Sequence, residues 1–295
     1  MNEPLDTATG RIAPGGALLL ERLRSSEPFT AVELRPPSSG LGREEAIESW
    51  IDFHHALGAL SRRGIFTFLT DNAVGVAEEE SLTHVAANLD SAVDVRHIVP
   101  ILTAKHTLDY CITFFARAAA SGIDAVTVTG GDRNVGPPRC VAHGSDLRAL
   151  AREMFPGLAL GGWLNPHKPA DHQIPPLVDE SSRADFALAQ IVSHHSLREA
   201  ESLLEALERA GLDIPVVFGV FHYRSGNPRT LETLGRYFPV PAQAITREFE
   251  AGATPDDLCA RTLRALGSIG ADKAYVSNLS ARQAAGRLRR ILEMV

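Results

Sequence analysis

The chain has 295 residues and a net charge of −7 at neutral pH, so it offers no overall basic surface to nucleic acid. No apolar stretch approaches the roughly 20 residues of a membrane span, and residues 1–12 lack the apolar core of a signal peptide. The three cysteines are odd in number and lack metal spacing, which is typical of a reducing compartment. We therefore expect a cytoplasmic protein without nucleic-acid or membrane partners.

Eight short apolar segments alternate with segments of helical period. They are rich in Val, Ile, Phe and Leu without polar alternation, which is typical of parallel strands covered on both faces. The predicted strands are 29–34, 64–70, 96–102, 123–129, 157–163, 185–192, 214–221 and 273–278. This pattern predicts an α/β fold, a single (β/α)8 TIM barrel over residues 13–295, preceded by a flexible segment at 1–12.

The predicted helices follow the same alternation, with an extra N-terminal helix at 15–25. The others cover 43–62, 78–92, 107–121, 145–154, 229–237 and 281–293, and two more are marked by their ends. Ser196 with Glu199 forms a capping-box pattern before a helix that stops at Gly211. Thr254 with Pro255 opens a helix that stops before residue 270. Four prolines between residues 165 and 183 predict a loop with little helix.

The first strand places a carboxylate, Glu33, near its end, followed by Arg35, Pro36 and Pro37. A charged side chain in an apolar strand costs free energy unless it is paired or needed. One interpretation is a salt bridge to Arg35 or to another arginine at the rim of the barrel. The other is a general acid or base with a raised pKa in a dry pocket.

Two further strands end in residues suited to a ligand. Gly130 and Gly131 allow close approach of backbone to a ligand, and Asp132 then faces the rim or caps a tight turn. Gln190, in the sixth strand, can donate to and accept from a heterocyclic amide, or bond its neighbours in the core. The glycine spacing at 131–136 lacks the following Lys-Ser/Thr of a P-loop, and no GxGxxG fingerprint exists.

Other strand ends carry polar or aromatic residues that would meet at one rim, and a lone loop histidine is more often a surface residue than a catalyst. These residues are Asp71, Asn72, Lys105, His106, Trp163, Asn165, His167, His194, His195, His222 and Tyr223. No HExxH or paired-cysteine pattern indicates a metal, so we expect none. Near the C-terminus, Arg287-Leu288-Arg289-Arg290 has the spacing of a solvated helix face.

Four motifs together resemble the methylenetetrahydrofolate reductase family. They are Glu33 with Arg-Pro-Pro, the Gly-Gly-Asp that ends at Asp132, the Ala-Gln that ends at Gln190, and the tail segment 275–279. Their order on the first, fourth, sixth and eighth strands matches that family over about residues 29–280. The resemblance implies reduction of 5,10-methylenetetrahydrofolate to 5-methyltetrahydrofolate, a reaction of one-carbon metabolism.

The resemblance also implies roles for individual residues. Glu33 would protonate N10, Asp132 would stabilise the iminium cation that accepts hydride, and Gln190 would hydrogen-bond the pterin. By position at the predicted rim, further candidates for folate binding are Asn72, Tyr223 and Asn278. Candidates for binding the nicotinamide cofactor are Thr103, His106, Arg133, Trp163, Asn165 and His167.

The departures from the family pattern all concern flavin. Thr70-Asp71-Asn72-Ala73 replaces Thr-Tyr-Gly-Ala, and Thr103 ends a Pro-Ile-Leu-Thr segment where the family has Pro-His-Leu-Thr. Gly130 replaces an arginine, and prolines interrupt the segment that supplies basic residues to the flavin phosphates. The resemblance therefore implies a member without tightly bound FAD, in which NADH, or alternatively NADPH, passes hydride directly to the folate.

The sequence leaves three competing hypotheses open. One is an FAD-dependent reductase of the same family. Another is a folate-binding barrel without catalytic activity. The third is a Schiff-base aldolase that uses Lys105 at the end of the third strand.

Overall fold

The computed structural model describes residues 16–38, 40–70, 93–131 and 136–295. Eight parallel strands form a closed barrel in which each strand pairs with the next and the last pairs with the first. The strands are β1 (Phe29–Leu34), β2 (Thr67–Leu69), β3 (Ile98–Thr103), β4 (Ala125–Thr129), β5 (Ala159–Leu164), β6 (Phe186–Val192), β7 (Val216–Phe221) and β8 (Lys273–Ser277). The predicted (β/α)8 barrel is confirmed, with one observed strand at each predicted position.

Helices follow the strands and cover the outside of the barrel. They are α1 (Leu18–Arg24), α2 (Arg43–Ser61), α3 (Leu108–Ala120), α4 (Gly144–Met154), α5 (Pro175–Val178), α6 (Leu197–Arg209), α7 (Pro228–Leu234), α8 (Ala242–Glu250), α9 (Pro255–Ser268) and α10 (Ala284–Leu292). Only α5 and the 3-10 turn Ala170–His172 lie between β5 and β6, which confirms the proline-based prediction. Helix α8 was not predicted. The expected segment 1–12 and helix 78–92 lie outside the described residues.

Helix α1 closes the N-terminal end of the barrel. Leu19, Leu20 and Leu23 belong to the same buried cluster as Phe29 and Phe66, at or just before the beginnings of β1 and β2. The backbone N–H of Leu18 donates to the Asp124 carboxylate at 3.0 Å, and the Lys273 ammonium donates to the Ser25 carbonyl at 2.8 Å. Burial raises the pKa of Asp124. The predicted extra helix is thus a plug beneath the barrel.

Aromatic rings fill the lumen below the C-terminal rim. A Cβ added at Gly219 would lie 2.6 Å from the Tyr275 hydroxyl oxygen, and one at Gly161 would lie 2.5 Å from the Phe186 ring. The Tyr275 hydroxyl donates to the Ala189 carbonyl at 3.0 Å. These glycines make room for the rings, so the packed layer ends below the strand tips. Ligands of such barrels bind at those tips.

The two helix starts with sequence signals behave differently. The predicted helix start at Thr254 is confirmed, and Thr254 and Asp257 form a capping box there, each side chain accepting from the backbone N–H of the other. The prediction that Ser196 caps α6 with its side chain is wrong. Its hydroxyl instead accepts from the Ser193 N–H at 3.0 Å, because a turn immediately before the helix offers a closer donor.

Among the described helices, none combines the length and apolar character needed to cross a membrane.

Candidate functional site

Glu33 is the uppermost interior side chain of β1. Phe29 and Ala31 belong to the buried cluster inside the barrel, here called the lumen cluster, which also contains Phe68, Phe186 and Tyr275. Strand alternation places Glu33 on the same side as Phe29 and Ala31. The half-buried carboxylate accepts a hydrogen bond from the Thr70 hydroxyl, which directly follows β2. It forms no ion pair with a described residue, so the expected salt bridge to Arg35 is absent from this part of the structure. With burial as the larger cause, the Glu33 charge also raises the pKa of Tyr275.

Gln190 lies at an irregularity in the barrel. The register between β6 and β7 shifts between Ala189 and Ile191, so Gln190 is the inserted residue. Its side-chain oxygen accepts from the Ile191 N–H at 3.0 Å, whereas its amide N–H groups have no partner among the described residues. Bulges next to binding sites commonly redirect a side chain. The amide therefore bonds its neighbour, as one interpretation expected, and keeps two donors for a ligand.

Two candidates for cofactor binding, Trp163 and Thr103, lie at or near the C-terminal ends of their strands. Trp163, near the end of β5, packs against the lumen cluster and is half-buried. Thr103 ends β3 opposite Thr129 of β4 and is fully buried. Trp163 thus shares the lumen surface with the strand that carries Gln190. His106, three residues beyond Thr103, is buried against Tyr110 with ring centroids 4.4 Å apart.

Asn165 and His167 are held inside the loop that follows β5. The Asn165 side-chain oxygen accepts from the His167 N–H at 3.0 Å, and Gln173 bonds both the N–H and the carbonyl of Asn165. The His167 ring donates from Nε2 to the Ile191 carbonyl at 2.8 Å. The loop is therefore ordered by its own polar groups, and it is tied to the bulge that carries Gln190.

The segment after β4 contains the predicted Asp132 and Arg133, and both lie outside the described residues, as does Asn72. What precedes them is described: Gly131 has φ +70°, and the Arg139 guanidinium donates to its carbonyl. A Cβ at Gly130 would lie 2.6 Å from the Arg139 guanidinium carbon. The close approach that the two glycines permit is made by an arginine of the chain itself. Nothing in the local sequence indicated Arg139.

Tyr223 is placed away from the lumen. It is buried in a separate cluster with Leu231, Ile245 and Leu258, and its hydroxyl has no partner among the described residues. Burial raises the pKa of this phenol. The structure therefore does not bring Tyr223 into the group around Glu33.

Asn278 joins the ends of two strands. It has φ +68°, the only positive φ among the described residues other than glycine. Its side-chain amide donates to the His222 carbonyl at 3.0 Å, and its own carbonyl accepts from Arg224 at 3.1 Å. Asn278 thus holds the exits of β7 and β8 together, and its amide already donates within the chain.

A charged network lies outside the lumen at the ends of β7 and β8. His222 Nε2 is 3.0 Å from the Asp256 carboxylate, which also pairs with Arg287 at 3.1 Å and with Arg290 at 3.4 Å. Burial lowers the pKa of His222 more strongly than Asp256 raises it. The expectation of a wholly solvated face at 287–290 is wrong, because two of its arginines turn towards Asp256. Their spacing in the sequence gives no sign of this pairing.

A second network joins the loop after β6 to α8 and α9. His194 Nε2 lies 2.8 Å from a Glu248 oxygen, which His195 also contacts, and Arg261 binds the other oxygen. Burial lowers the pKa of His194. Burial opposes ionisation of Glu248, but hydrogen bonds from His195, His194 and Arg261 outweigh it and hold its pKa below the usual range.

Comparisons with known proteins give little beyond the architecture. No family model matches the chain, and no curated protein matches it. Solved structures of tryptophan synthase from M. tuberculosis are similar. The aminoacrylate-bound form is 16% identical over 96% of this chain and 96% of that chain, with a TM-score of 0.48. The ligand-free form is 15% identical over 94% and 95%, also with a TM-score of 0.48. Likeness this distant carries no argument about the reaction.

Proposed function

We propose that the chain reduces 5,10-methylenetetrahydrofolate to 5-methyltetrahydrofolate, with hydride passed directly from NADH, or alternatively from NADPH. The observation that carries this proposal is the Glu33 carboxylate near the C-terminal end of β1, on the lumen side. Its partner there is the neutral hydroxyl of Thr70, and no described cation pairs with it. A carboxyl group placed in this way is suited to proton transfer to a bound ligand.

In this reaction Glu33, in its protonated form, would give its proton to N10 of the substrate. The bond between the methylene carbon and N10 breaks, and the positive charge moves to an iminium at N5. Nicotinamide then supplies hydride to the methylene carbon, which becomes the methyl group. Thr70 would orient the Glu33 carboxyl, and Asp132, in the segment that follows β4, would stabilise the cation.

Gln190 and Trp163 would hold the pterin. The two amide N–H groups of Gln190 can donate to a heterocyclic carbonyl or ring nitrogen. Trp163 offers a flat apolar face on the same lumen wall. Both lie on adjacent strands, β5 and β6, where residues 163 and 188 are register partners.

The arrangement before β6 supports a reaction without tightly bound FAD. The Arg148 guanidinium donates hydrogen bonds to the carbonyls of Ser182 and Pro176, each at 2.6 Å. Arg152 binds the Arg183 carbonyl and the Asp185 carboxylate. Burial lowers the pKa of Arg148 to about 10. These arginines anchor the proline-rich segment to the barrel. That segment has only the four-residue α5 where the family resemblance would use a helix with basic residues for the flavin phosphates, which supports a reaction without tightly bound FAD.

Isotope transfer tests the proposal directly. The purified full chain is first examined by visible absorption, and then given methylenetetrahydrofolate with NADH carrying deuterium at the 4R or 4S position. We expect a colourless protein, NADH oxidation, and deuterium retained in the methyl group of the product with one of the two isotopomers. A flavin would exchange its hydride position with water, so loss of deuterium with both isotopomers would favour the flavoenzyme.

A binding protein and an aldolase would each give a different result. Folate binding without NADH oxidation would favour a binding protein. Covalent trapping of a carbonyl substrate on Lys105 by borohydride would favour an aldolase. In the structure the Lys105 ammonium donates to the Pro137 carbonyl at 2.9 Å.

A further inference from the structure

The histidine–carboxylate cluster, which consists of His194, His195 and Glu248, brings three metal-binding side chains together. The histidines lie in the loop between β6 and α6, and Glu248 lies in the last turn of α8. One ligand atom from each residue can be chosen so that all lie within 4.8 Å of one another. We propose that this cluster binds one divalent transition-metal ion with the ligand preference of Zn²⁺. The proposal concerns a site separate from the one assigned to folate reduction.

The hydrogen bonds of His194 prepare its Nε2 to act as a ligand. Its Nδ1 lies 3.0 Å from the Thr262 hydroxyl, and that hydroxyl donates its only proton to the Leu258 carbonyl at 2.9 Å. With the Thr262 proton on the Leu258 carbonyl, Nδ1 is the donor, and the neutral ring then keeps a lone pair on Nε2. Metal-binding histidines characteristically donate their second N–H to a fixed acceptor in this way.

The lone pair of His194 Nε2 faces a Glu248 oxygen at 2.8 Å. Two electron-rich atoms at this distance repel each other unless a positive charge lies between them. That charge is either a proton on Nε2, which then donates to Glu248, or a cation that takes the place of this proton and is bound by both groups. His195 Nε2 approaches the same oxygen, so one cation would satisfy all three side chains at once.

Glu248 is also fixed by an ion pair on the side away from the histidines. Its second oxygen binds the Arg261 guanidinium from α9, so the first oxygen is the one directed at the histidines. The side chains of Glu248 and His194 are 15% and 17% exposed, whereas that of His195 is 28% exposed. The cluster is thus enclosed on the side of α9 and open beside His195, where water can complete the coordination.

The ligand chemistry selects the class of ion. Two imidazoles and one carboxylate, with an open position, are a common set for Zn²⁺ and for other first-row transition metals. Mg²⁺ and Ca²⁺ prefer oxygen ligands and are disfavoured by two nitrogens. The ion would join α8 to the rim beside β6, adding to the contacts of α8 through Ile245 and Thr246.

Titration of the untagged full chain tests this site. After treatment with a chelator at pH 8, the protein is titrated with Zn²⁺ by calorimetry and with Co²⁺ by visible absorption. We expect one ion per chain, d–d bands with Co²⁺, and a rise in the thermal midpoint with Zn²⁺. His195→Gln should weaken binding at least about 100-fold, and Thr262→Val about 10- to 100-fold through the freed His194 ring. The exposed His55→Gln variant is the matched control.

Two results would overturn the proposal. One is a wild-type chain that binds no more Zn²⁺ than a His194→Gln, His195→Gln double variant. The other is binding that Thr262→Val and His195→Gln both leave unchanged, since the ion would then lie elsewhere. Circular dichroism of each variant separates lost binding from lost folding, and Thr262→Val keeps the test decisive because valine fills the same buried space.

Discussion

At the C-terminal rim of the barrel, polar side chains inside the lumen (the inner rim) and outside it (the outer rim) differ in how many partners the chain gives them. Inside the lumen, Glu33 and Gln190 each make one hydrogen bond to a described residue and keep further capacity. Outside, Asp256 meets three partners supplied by the chain itself, His222, Arg287 and Arg290. Side chains saturated by their own protein hold structure, whereas side chains with spare donors or acceptors remain available to a ligand. The inner rim should therefore control turnover and the outer rim stability.

The largest expected effect is on turnover. Replacing Glu33 with Gln removes the proton donor while keeping the shape, so kcat for NADH oxidation should fall about 10²- to 10⁴-fold. Folate binding, measured by calorimetry, and the thermal midpoint should change little. Glu27→Gln, at the closed end of the barrel, is the control because its side chain is 73% exposed. A rate near that of the wild type would remove Glu33 from the mechanism.

On the outer rim we expect the reverse outcome. Asp256→Asn takes the charge partner from His222, Arg287 and Arg290, so the free energy of unfolding should drop by about 1.5–3 kcal/mol. Urea denaturation measures this change, and kcat of the folded variant should stay close to that of the wild type. Asp213→Asn, at an exposed position before β7, is the control. A loss of activity without a loss of stability would contradict the division between inner and outer rim.

The free energy of unfolding should depend on the room that glycines leave for the aromatic rings in the lumen. Gly219→Ala forces the Tyr275 hydroxyl to move and should cost about 1–3 kcal/mol of unfolding free energy. In Gly286→Ala, the control on α10, a Cβ meets nothing within 4 Å, so this variant should be neutral or slightly more stable. Equal stability of the two variants would mean that the aromatic layer can adjust at no cost.

The smallest expected effect is a change in pH dependence. The pKa of His222 is lowered in the folded chain from 6.5, so the unfolded chain binds its proton first as the pH falls. Stability should decrease from about pH 7.5 to about pH 5.5, with at most about 1.4 kcal/mol per pH unit from this group. His222→Gln should flatten the slope, while His194 leaves a residual one. Identical slopes in the wild type and in this variant would exclude His222 as a source.

The features that could be predicted from the sequence are those that follow from the local order of apolar and polar residues. Apolar runs indicated the eight strands, and strand alternation is enough to put Glu33 on the lumen side. Local pattern did not indicate α8, which directly follows the prolines at 239 and 241. Nor could it pair His194 with Glu248, 54 residues away, or His222 with Asp256, 34 residues away. Such contacts depend on how helices pack on the finished barrel.

Two local expectations, at Ser196 and at residues 287–290, were wrong for the same reason: tertiary packing decided the partner. Ser196 carries a capping signal, yet a neighbouring turn competes for its hydroxyl. Arg287 and Arg290 have the spacing of a solvated face, yet α10 packs where Asp256 can reach them. In both cases the residue type was informative, and its partner was decided by three-dimensional proximity.

The helix beneath the barrel has a kinetic consequence. Because α1 blocks the N-terminal end with Leu19, Leu20 and Leu23, the route into the lumen lies between the strand tips in the part of the chain that the structure describes. Two reactants that meet there share this entrance, so a reactant bound beneath the other enters first and leaves last. For the proposed hydride transfer this means a compulsory order of addition, visible as competitive product inhibition against one reactant and not against the other.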